Sequence, residues 1–529
     1  MKKTFLFLLL GACITITQAQ VTFSTTSFPT NGTDKAVVDM NGDHLDDVVA
    51  VSSTNVNIFY QQIGGGFDEV NITTTPADYP ASWSLAAADY DRNGFTDLLY
   101  GAGSGVTFMR ANNTGTGFLE VSGPEDIFSQ RSNFVDINND GHLDAFVCHD
   151  VAPNVYYIND GSGNLSFVQG GLGDFASGGN YGSVWIDYDN DRDIDLFIAK
   201  CGGSVARRTN QMHTNQGDGT YIENALDIGL ADPMQTWSSA WADYDGDGDM
   251  DVFVGASSGD HKLMENNGDG TFTDVTAGSG IAAFTDTGIE NCTYDIDNDG
   301  NPDVIASGSV LYGNGDMTFT IEQSVFPGNG SLGDLNNDGF IDNVVFEVLY
   351  TNNGNSNNWI TINTVGTESN IDGIGARVEV TTASGTRIRD VRSGEGFGYM
   401  STLNTHVGLG TDAAVESITV YWPSGIIDVI ENPNINEALV IVEGETLGLE
   451  ESLVENLILY PNPTNDLLRL NNALELNDAI YTIFTMEGKL VVNQRLSGDS
   501  IDVNYLSSGN YILRILNNGA IMSQRFIRK

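Results

Sequence analysis

Between residues 35 and 345 the chain repeats one order of hydrophobic and polar positions: a short apolar or aromatic run, a polar stretch crowded with Asp, Asn and Gly, then a second apolar run. In one repeat these runs are Ser238-Ser239-Ala240-Trp241-Ala242 and Val252-Phe253-Val254. Runs this short, bounded by turn residues and without a sustained helical period, predict β-strands joined by loops. A second pattern follows in each repeat, as in Leu263-Met264-Glu265-Asn266-Asn267-Gly268-Asp269-Gly270-Thr271-Phe272 and Val155-Tyr156-Tyr157-Ile158-Asn159-Asp160-Gly161. Here Asn, Asp and Gly supply the positive φ of a tight hairpin, so each repeat is expected to hold three or four short strands.

The polar stretch obeys Asp-x-Asp/Asn-x-Asp/Asn-x-x-x-Asp seven times, starting at Asp39, Asp89, Asp136, Asp187, Asp243, Asp295 and Asp334. Successive starts are 50, 47, 51, 56, 52 and 39 residues apart, the period of propeller blades rather than of the much shorter β-helix coils. The expected fold is all-β, with a seven-bladed β-propeller over residues 20–355. The motif stops where the chain turns Asn-rich, at 352–358, which marks a boundary. Residues 356–444 again read as strands, for example Ala376-Arg377-Val378-Glu379-Val380 and Ser417-Ile418-Thr419-Val420-Tyr421-Trp422. A linker over 445–455 leads to a last module, 456–529, which holds seven of the chain's 22 Lys and Arg residues and so departs from the acidic body.

That acidity amounts to a formal net charge of −49, with a pI near 4.1. It argues against nucleic acid or anionic lipid as partner. Disorder is not its cause, because 40% of the residues are hydrophobic. Much of it lies in the seven motifs, whose four side-chain positions each make 28, and removing the neutral Asn41, Asn93, Asn138 and Asn336 leaves 24 carboxylates.

Calcium takes six to eight oxygen ligands, and a turn presenting acids or amides at positions 1, 3 and 5, a main-chain carbonyl at 7 and a final acid supplies most of that shell. The candidate ligands are Asp39, Asn41, Asp43 and Asp47 in the first loop, Asp89, Asp91, Asn93 and Asp97 in the second, and Asp136, Asn138, Asp140 and Asp144 in the third. Asp187, Asp189, Asp191 and Asp195 follow in the fourth, and Asp243, Asp245, Asp247 and Asp251 in the fifth. The last two loops contribute Asp295, Asp297, Asp299 and Asp303, then Asp334, Asn336, Asp338 and Asp342. About seven calcium sites are expected on this ligand pattern. An EF-hand fits poorly, since its loop is longer, ends in Glu and lies between helices. Position 6, where Gly eases the turn, is His44 in the first loop and Arg192 in the fourth, so these two depart from the pattern. Without ions the clustered acids would repel one another, which couples calcium to folding.

Residues 1–19, with Lys2-Lys3, an apolar run over 5–10 and small residues up to Ala19, read as a secretory signal, so the mature chain would start at Gln20. Leu10-Gly11-Ala12-Cys13 offers a lipobox-like alternative. No later run is long and apolar enough to span a bilayer. Cys148, Cys201 and Cys292 lack metal-type spacing and read as buried free thiols. The six histidines are scattered, and no catalytic constellation is visible. Trp83, Trp185, Trp237 and Trp241, each shortly before a loop, read as blade core rather than a sugar platform.

The run Trp241-Ala242-Asp243-Tyr244-Asp245-Gly246-Asp247-Gly248-Asp249-Met250-Asp251-Val252-Phe253-Val254 and its six counterparts resemble the FG-GAP/VCBS repeats of integrin-type propellers. Asp372-Gly373-Ile374-Gly375-Ala376-Arg377-Val378, Arg392-Ser393-Gly394, His406-Val407-Gly408-Leu409-Gly410 and Val420-Tyr421-Trp422-Pro423-Ser424-Gly425 are similar to the ASPIC/UnbV domain of the cartilage acidic protein family. Leu459-Tyr460-Pro461-Asn462-Pro463, Glu487-Gly488-Lys489 and Leu506-Ser507-Ser508-Gly509-Asn510-Tyr511 resemble the type A sorting domain of the Bacteroidetes type IX secretion system. That resemblance implies a small Ig-like β-sandwich, contact with the secretion machinery, and release or attachment at the cell exterior. The resulting expectation is a secreted or surface calcium-binding repeat protein, a non-enzymatic adhesion or glycan- or protein-binding module. A calcium-dependent polysaccharide lyase or hydrolase on a propeller is the competing class. The propeller's loop face is expected to offer broad polar surface to the partner.

Overall fold

The computed structural model describes residues 21–288, 290–445, 459–470, 480–485, 490–496, 500–517 and 520–529. The expected signal with its cleavage site, and all but the first residue of the expected linker, lie outside these residues. The described residues up to 445 form one compact unit, and those from 459 onward a second.

Each acidic loop joins the first two of four antiparallel strands in one sheet, and the first of these sheets carries a fifth, parallel strand. In the fifth repeat the strands are Gln235–Ala242, Asp251–Ser258, Lys262–Asn266 and Phe272–Asp274. Seven such blades stand among the described residues. The seventh takes three strands from its own repeat, and its outer strand, Phe23–Ser27, comes from the start of the chain, with Phe23 opposite Asn352. This closes the ring, so the first and last blades cannot separate without breaking a β-ladder.

First strands of neighbouring blades pack side by side around the axis. Aromatic pairs fill the seams between blades: Phe146 meets Trp185 edge-on at 5.3 Å, Phe197 meets Trp241 at 5.3 Å, and Tyr244 meets Phe319 at 5.3 Å. Edge-to-face contact is the favoured geometry for such rings. Trp185 and Trp241 are therefore core, as expected. Trp83 and Trp237 are only half-buried, which corrects the expectation for them. They lie at or near the beginning of a first strand, at the end away from the loop, where Trp237 rests on Tyr181 at 4.6 Å. Cys148, Cys201 and Cys292 are buried and unpaired.

The chain after the propeller builds a three-stranded sheet from Asn358–Val365, Thr405–Gly410 and Ala438–Val442, and a four-stranded sheet from Arg377–Thr382, Gly385–Asp390, Val415–Tyr421 and Ile427–Glu431. Between them residues 391–402 run as a finger into the propeller axis. Tyr399–Met400 pairs in parallel with the first strand of blade 1, Asp34–Val38. Asn133 Nδ2 of blade 3 donates to the carbonyls of Ser393 and Gly394, at 2.8 and 3.0 Å. Gly394 has φ +74°, and a Cβ there would stand 2.0 Å from the Ser132 carbonyl, so only glycine fits. One continuous apolar cluster runs from blades 1–3 through Met400 to Ile360, Val378 and Trp422. Propeller and second domain thus share a core.

The second unit, described by itself, packs a sheet of Leu459–Tyr460, Leu467–Leu470 and Ser500–Asp502 against one of Ile480–Thr485, Leu490–Arg495, Gly509–Asn517 and Ala520–Arg528. Leu468, Ile483, Val503, Leu513 and Phe526 fill the space between, as in a small sandwich.

Within the axis Glu290 accepts a hydrogen bond from the Phe397 N–H at 2.8 Å, while the Arg131 guanidinium lies 5.0 Å over the Phe397 ring. Burial pushes the Glu290 carboxyl from about 4.5 up to about 8. Between those values the folded protein holds a proton that the unfolded chain has released, so this stabilising contribution is complete below the lower value and is lost as pH rises through the upper one. Glu290→Gln, neutral at every pH, is expected to gain thermal stability relative to the parent as pH rises from about 6 to about 9. A melting-temperature difference between the two that stays constant over that interval would show that Glu290 does not carry this linkage.

Candidate metal centres

Every acidic loop makes the same two backbone reversals. Position 4 is left-handed in all seven: Gly42 and Gly246, Asn139, Asn190, Asn298 and Asn337, and Arg92. Position 6 is left-handed as well, including His44 at φ 66° and Arg192 at φ 76°. Both departures from Gly therefore keep the loop shape, at a strain of about 1–2 kcal/mol each. The position-4 requirement went unread in the sequence, although its run of Gly and Asn was a usable signal, since Asn is among the side chains that tolerate this region.

These reversals turn successive N–H groups inward onto the first acid. Asp243 Oδ1 accepts from Gly246 and Asp247 at 2.7 and 3.1 Å, and its Oδ2 accepts from Gly248 at 3.0 Å. Asp39, Asp89, Asp136, Asp295 and Asp334 are held in the same way. The fourth loop differs. Both Asp187 carboxylate oxygens lack a hydrogen-bond partner, and guanidinium groups of Arg192 and Arg377 stand 3.8 and 3.6 Å from Oδ2.

The last acid has a second task that spacing alone did not disclose. It begins the second strand, and in all seven blades its Oδ2 accepts from the N–H at loop position 2 while its Oδ1 accepts from an N–H of the third strand. For Asp251 the donors are Tyr244 at 3.0 Å and Asn266 at 2.8 Å. The loop is thereby fastened to its own blade, and each of these oxygens retains lone-pair capacity.

Four loops gather three carboxylates whose ligand atoms lie within 4.8 Å of one another, close enough to hold a metal ion: Asp89, Asp91 and Asp97; Asp187, Asp189 and Asp195; Asp243, Asp245 and Asp251; and Asp295, Asp297 and Asp299. Asp91, Asp189 and Asp245, each at position 3, keep a buried Oδ1 with no hydrogen-bond partner. In the other three loops position 3 is Asn, and its Nδ2 donates to the position-5 acid, as from Asn41 to Asp43 at 3.1 Å, Asn138 to Asp140 at 3.0 Å and Asn336 to Asp338 at 2.9 Å. Burial pushes Asp47, Asp251 and Asp342 up to about 8, against an ordinary value of 3.8. Ionised, the acids of one cluster repel one another, and a cation held among them would offset that repulsion.

The second domain lies over the loop face. Asp372 accepts the Asp89 N–H at 2.9 Å, Arg92 donates to the Thr367 carbonyl at 2.9 Å, and a Cβ on Gly141 would meet the Glu368 carbonyl at 2.4 Å. Arg377 donates to the Asp187 carbonyl at 2.7 Å, and Arg192 stacks 4.0 Å over Tyr421. Arg392 donates to the Trp241 carbonyl at 3.1 Å, His406 Nε2 lies 2.6 Å from Asn298 Oδ1, and Asn404 Nδ2 donates to Asp46 at 2.9 Å. A Cβ on Gly339 would strike the Trp359 ring. Six of the seven loops touch this domain directly, and beside the fifth the contact is to Trp241 at the end of its first strand. Part of the expected polar loop face is therefore covered, while loop-tip acids such as Asp43, Asp140, Asp191, Asp247 and Asp338 stay exposed.

Propeller blades closed around acidic loops, a β-rich cap on those loops and a separate small sandwich define a multidomain repeat protein. Residues 39–100, 136–198, 187–254 and 243–306 match the FG-GAP-like repeat family, 366–448 match ASPIC and UnbV, and 458–529 match the secretion system C-terminal sorting domain. The chain carries all three and is exported through the type IX system to the cell surface or beyond it. Among the described residues no helix is long and apolar enough to cross a membrane.

The chain is similar to cartilage acidic protein 1 of Homo sapiens, at 28% identity over 252 residues, which are 41% of this chain and 37% of that protein, and to the Mus musculus protein at the same identity over 38% of its length. The match thus spans well under half of these relatives. Among solved structures, a lectin of Agrocybe aegerita specific for non-reducing terminal N-acetylglucosamine aligns with TM-score 0.41 and 20% identity, over 55% of this chain and 80% of that one. PorZ, a surface component of the type IX system of Porphyromonas gingivalis, aligns with TM-score 0.35 and 13% identity, over 93% of this chain and 59% of that one.

The two kinds of acid separate by mutation. Asp251→Ala leaves two buried N–H groups without acceptors and is expected to cost about 2–4 kcal/mol even in chelator. Asp245→Asn removes charge from an oxygen that holds nothing in the fold, so it is expected to weaken metal binding while leaving chelator-state stability within about 0.5 kcal/mol. Denaturant titrations with and without metal compare them, and equal losses in chelator would refute the division of roles.

Proposed function

We propose that the mature protein is a calcium-loaded binding protein of the cell exterior, holding a glycan or another extracellular protein without converting it. The supporting observation is the set of unpaired, buried position-3 oxygens of Asp91, Asp189 and Asp245 inside crowded acidic loops. An oxygen so placed suits a cation, and a flexible shell of many carboxylates suits calcium better than magnesium, which tends to retain waters. The 28 side chains at positions 1, 3, 5 and 9 of the seven loops are the ligands in this reading. Loops with an acid at position 3 bind first. Those with Asn41, Asn138 and Asn336 bind more weakly, because their amide–carboxylate bonds must open. Bound calcium supplies countercharge at the seam, and the chain's own residues orient the second domain over it. In this reading residues 20–355 and 356–444 act together as the binding body, and 456–529 serves export.

Elemental analysis of mature protein equilibrated in millimolar calcium is expected to find about seven ions per chain, at extracellular-type affinities near 10⁻⁴–10⁻³ M or tighter in the acid-rich loops. Fewer than about four would refute the seven-loop assignment.

Absence of turnover rests on the commitment of the clustered carboxylates to structure and ligation, since a general acid or base must be free to reach substrate. Calcium-loaded protein screened against plant and marine polysaccharides is expected to retain a ligand while releasing neither new reducing ends nor unsaturated uronates. Product that grows in proportion to protein would replace this reading with a lyase or hydrolase.

A further inference from the structure

A cleft of about 340 Å³ opens at the seam between the first two acidic loops and the second domain. Val38, Asn41 and Thr96 contribute from the propeller, and Asn363, Val365 and Leu403 from the facing domain. Its hydrogen-bonding character follows from what its polar groups have already spent. Thr96 Oγ1 donates to the Asp39 carbonyl at 2.5 Å, Thr364 Oγ1 to the Asp372 carbonyl at 2.9 Å, and Thr402 Oγ1 and Asn404 Nδ2 to Asp46 at 2.5 and 2.9 Å. With their protons committed, the threonine hydroxyls offer the cleft lone pairs, while Asn404 Nδ2 keeps its second N–H as a donor. Asn363, only 4% exposed, lines the cleft with its Oδ1 unpaired. Amide donors and hydroxyl acceptors thus share the lining, so the site suits a ligand that both donates and accepts.

Acceptors and donors on two facing walls, separated by the aliphatic side chains of Val38, Val365 and Leu403, require hydrogen-bonding groups of both kinds pointing in several directions from a body with apolar faces of its own. A sugar ring has that form, with hydroxyls around its edge and C–H groups on its faces. An ammonium concentrates its donors at one point and would leave one wall unmatched. Asp372, which is not a loop ligand, lines the cleft and disfavours uronates and sulfated sugars. We propose that this cleft is a glycan subsite for one neutral sugar ring; the assignment rests on the binding function proposed above and gives it a place.

The test uses calcium-loaded, full-length mature protein and ligand-observed NMR with titration. The probes are methyl glycosides of glucose, galactose, mannose, fucose and N-acetylglucosamine, with methyl glucuronide as the anionic probe and cadaverine as the amine. At least one neutral glycoside is expected to bind, and neither charged probe. Asn363→Leu, which keeps the volume and removes the amide, is expected to weaken that sugar about tenfold. Val365→Phe, which fills the cleft, is expected to abolish binding, with calcium content and melting temperature retained; it decides the matter should Asn363→Leu lose its fold. Sugar binding untouched by a folded variant would overturn the cleft as the subsite while leaving glycan binding standing. Preference for cadaverine or the glucuronide would overturn the neutral-sugar assignment. No neutral glycoside bound by the parent protein would overturn the inference, whereas the wider binding reading is judged separately by retention in the polysaccharide screen.

Discussion

The carboxylate at the start of each second strand is the constraint on which the propeller depends. It lies inside the blade, accepts one N–H from the loop and one from the third strand, and is repeated from Asp47 to Asp342. Removing a carboxylate from water is expensive, and burial pushes Asp144 up to about 7 and Asp195 to about 9. Two good hydrogen bonds offset part of that cost and fix where the loop begins and ends. The same residue that closes the turn therefore sets the position of the other acids, so their convergence follows from the fastening and needs no independent packing.

Capping these loops with a second domain raises the electrostatic stakes, because a covered acid loses the solvent that would screen it. The domain answers with cations of its own at particular places. Arg377, 2% exposed, reaches the Asp187 carbonyl and pairs with Asp390, and Arg192 leaves its loop to stack on Tyr421 and bond Glu379 at 3.2 Å. In the fourth loop the departure from Gly at position 6 thus serves a docking contact, which is a physical reason for the chain to accept the strain. Elsewhere the seam relies on backbone contacts, with glycines such as Gly141 and Gly339 admitting the second domain close to the loop.

The blades were legible because their information is local. A loop of fixed spacing between two apolar runs determines a strand, a turn and a second strand, and the hairpin read in 263–272 appears as Lys262–Asn266 and Phe272–Asp274. The candidate acids were legible for the same reason. What could not be read was relational. Residues 391–402 contain no extended apolar alternation, and their path into the axis is decided by Asn133, Glu290 and the free edge of Asp34–Val38, which lie more than a hundred residues away. The covering of the loop face is of this kind too, since a charged loop in a lone propeller reads as solvent-exposed. Trp83 and Trp237 were misplaced because proximity to a loop in sequence does not specify which end of the strand a residue occupies.

These relations decide where the molecule can meet a partner. The axis, a frequent place for ligands in a ring of blades, is filled by the finger and its pairing with blade 1. The second domain covers part of the loop face, and the seams between blades are closed by aromatic pairs such as Phe146 and Trp185. Beside the first two loops the two walls leave a gap, lined on the cap side by Asn363 and Asn404 and on the propeller side by Asn41 and Thr96. Because one wall belongs to the propeller loops and the other to the cap, the shape of this gap depends on the docking of the domains. Under the proposed function, an ion that stiffened the loops would therefore also shape the recognition surface, without having to touch the ligand.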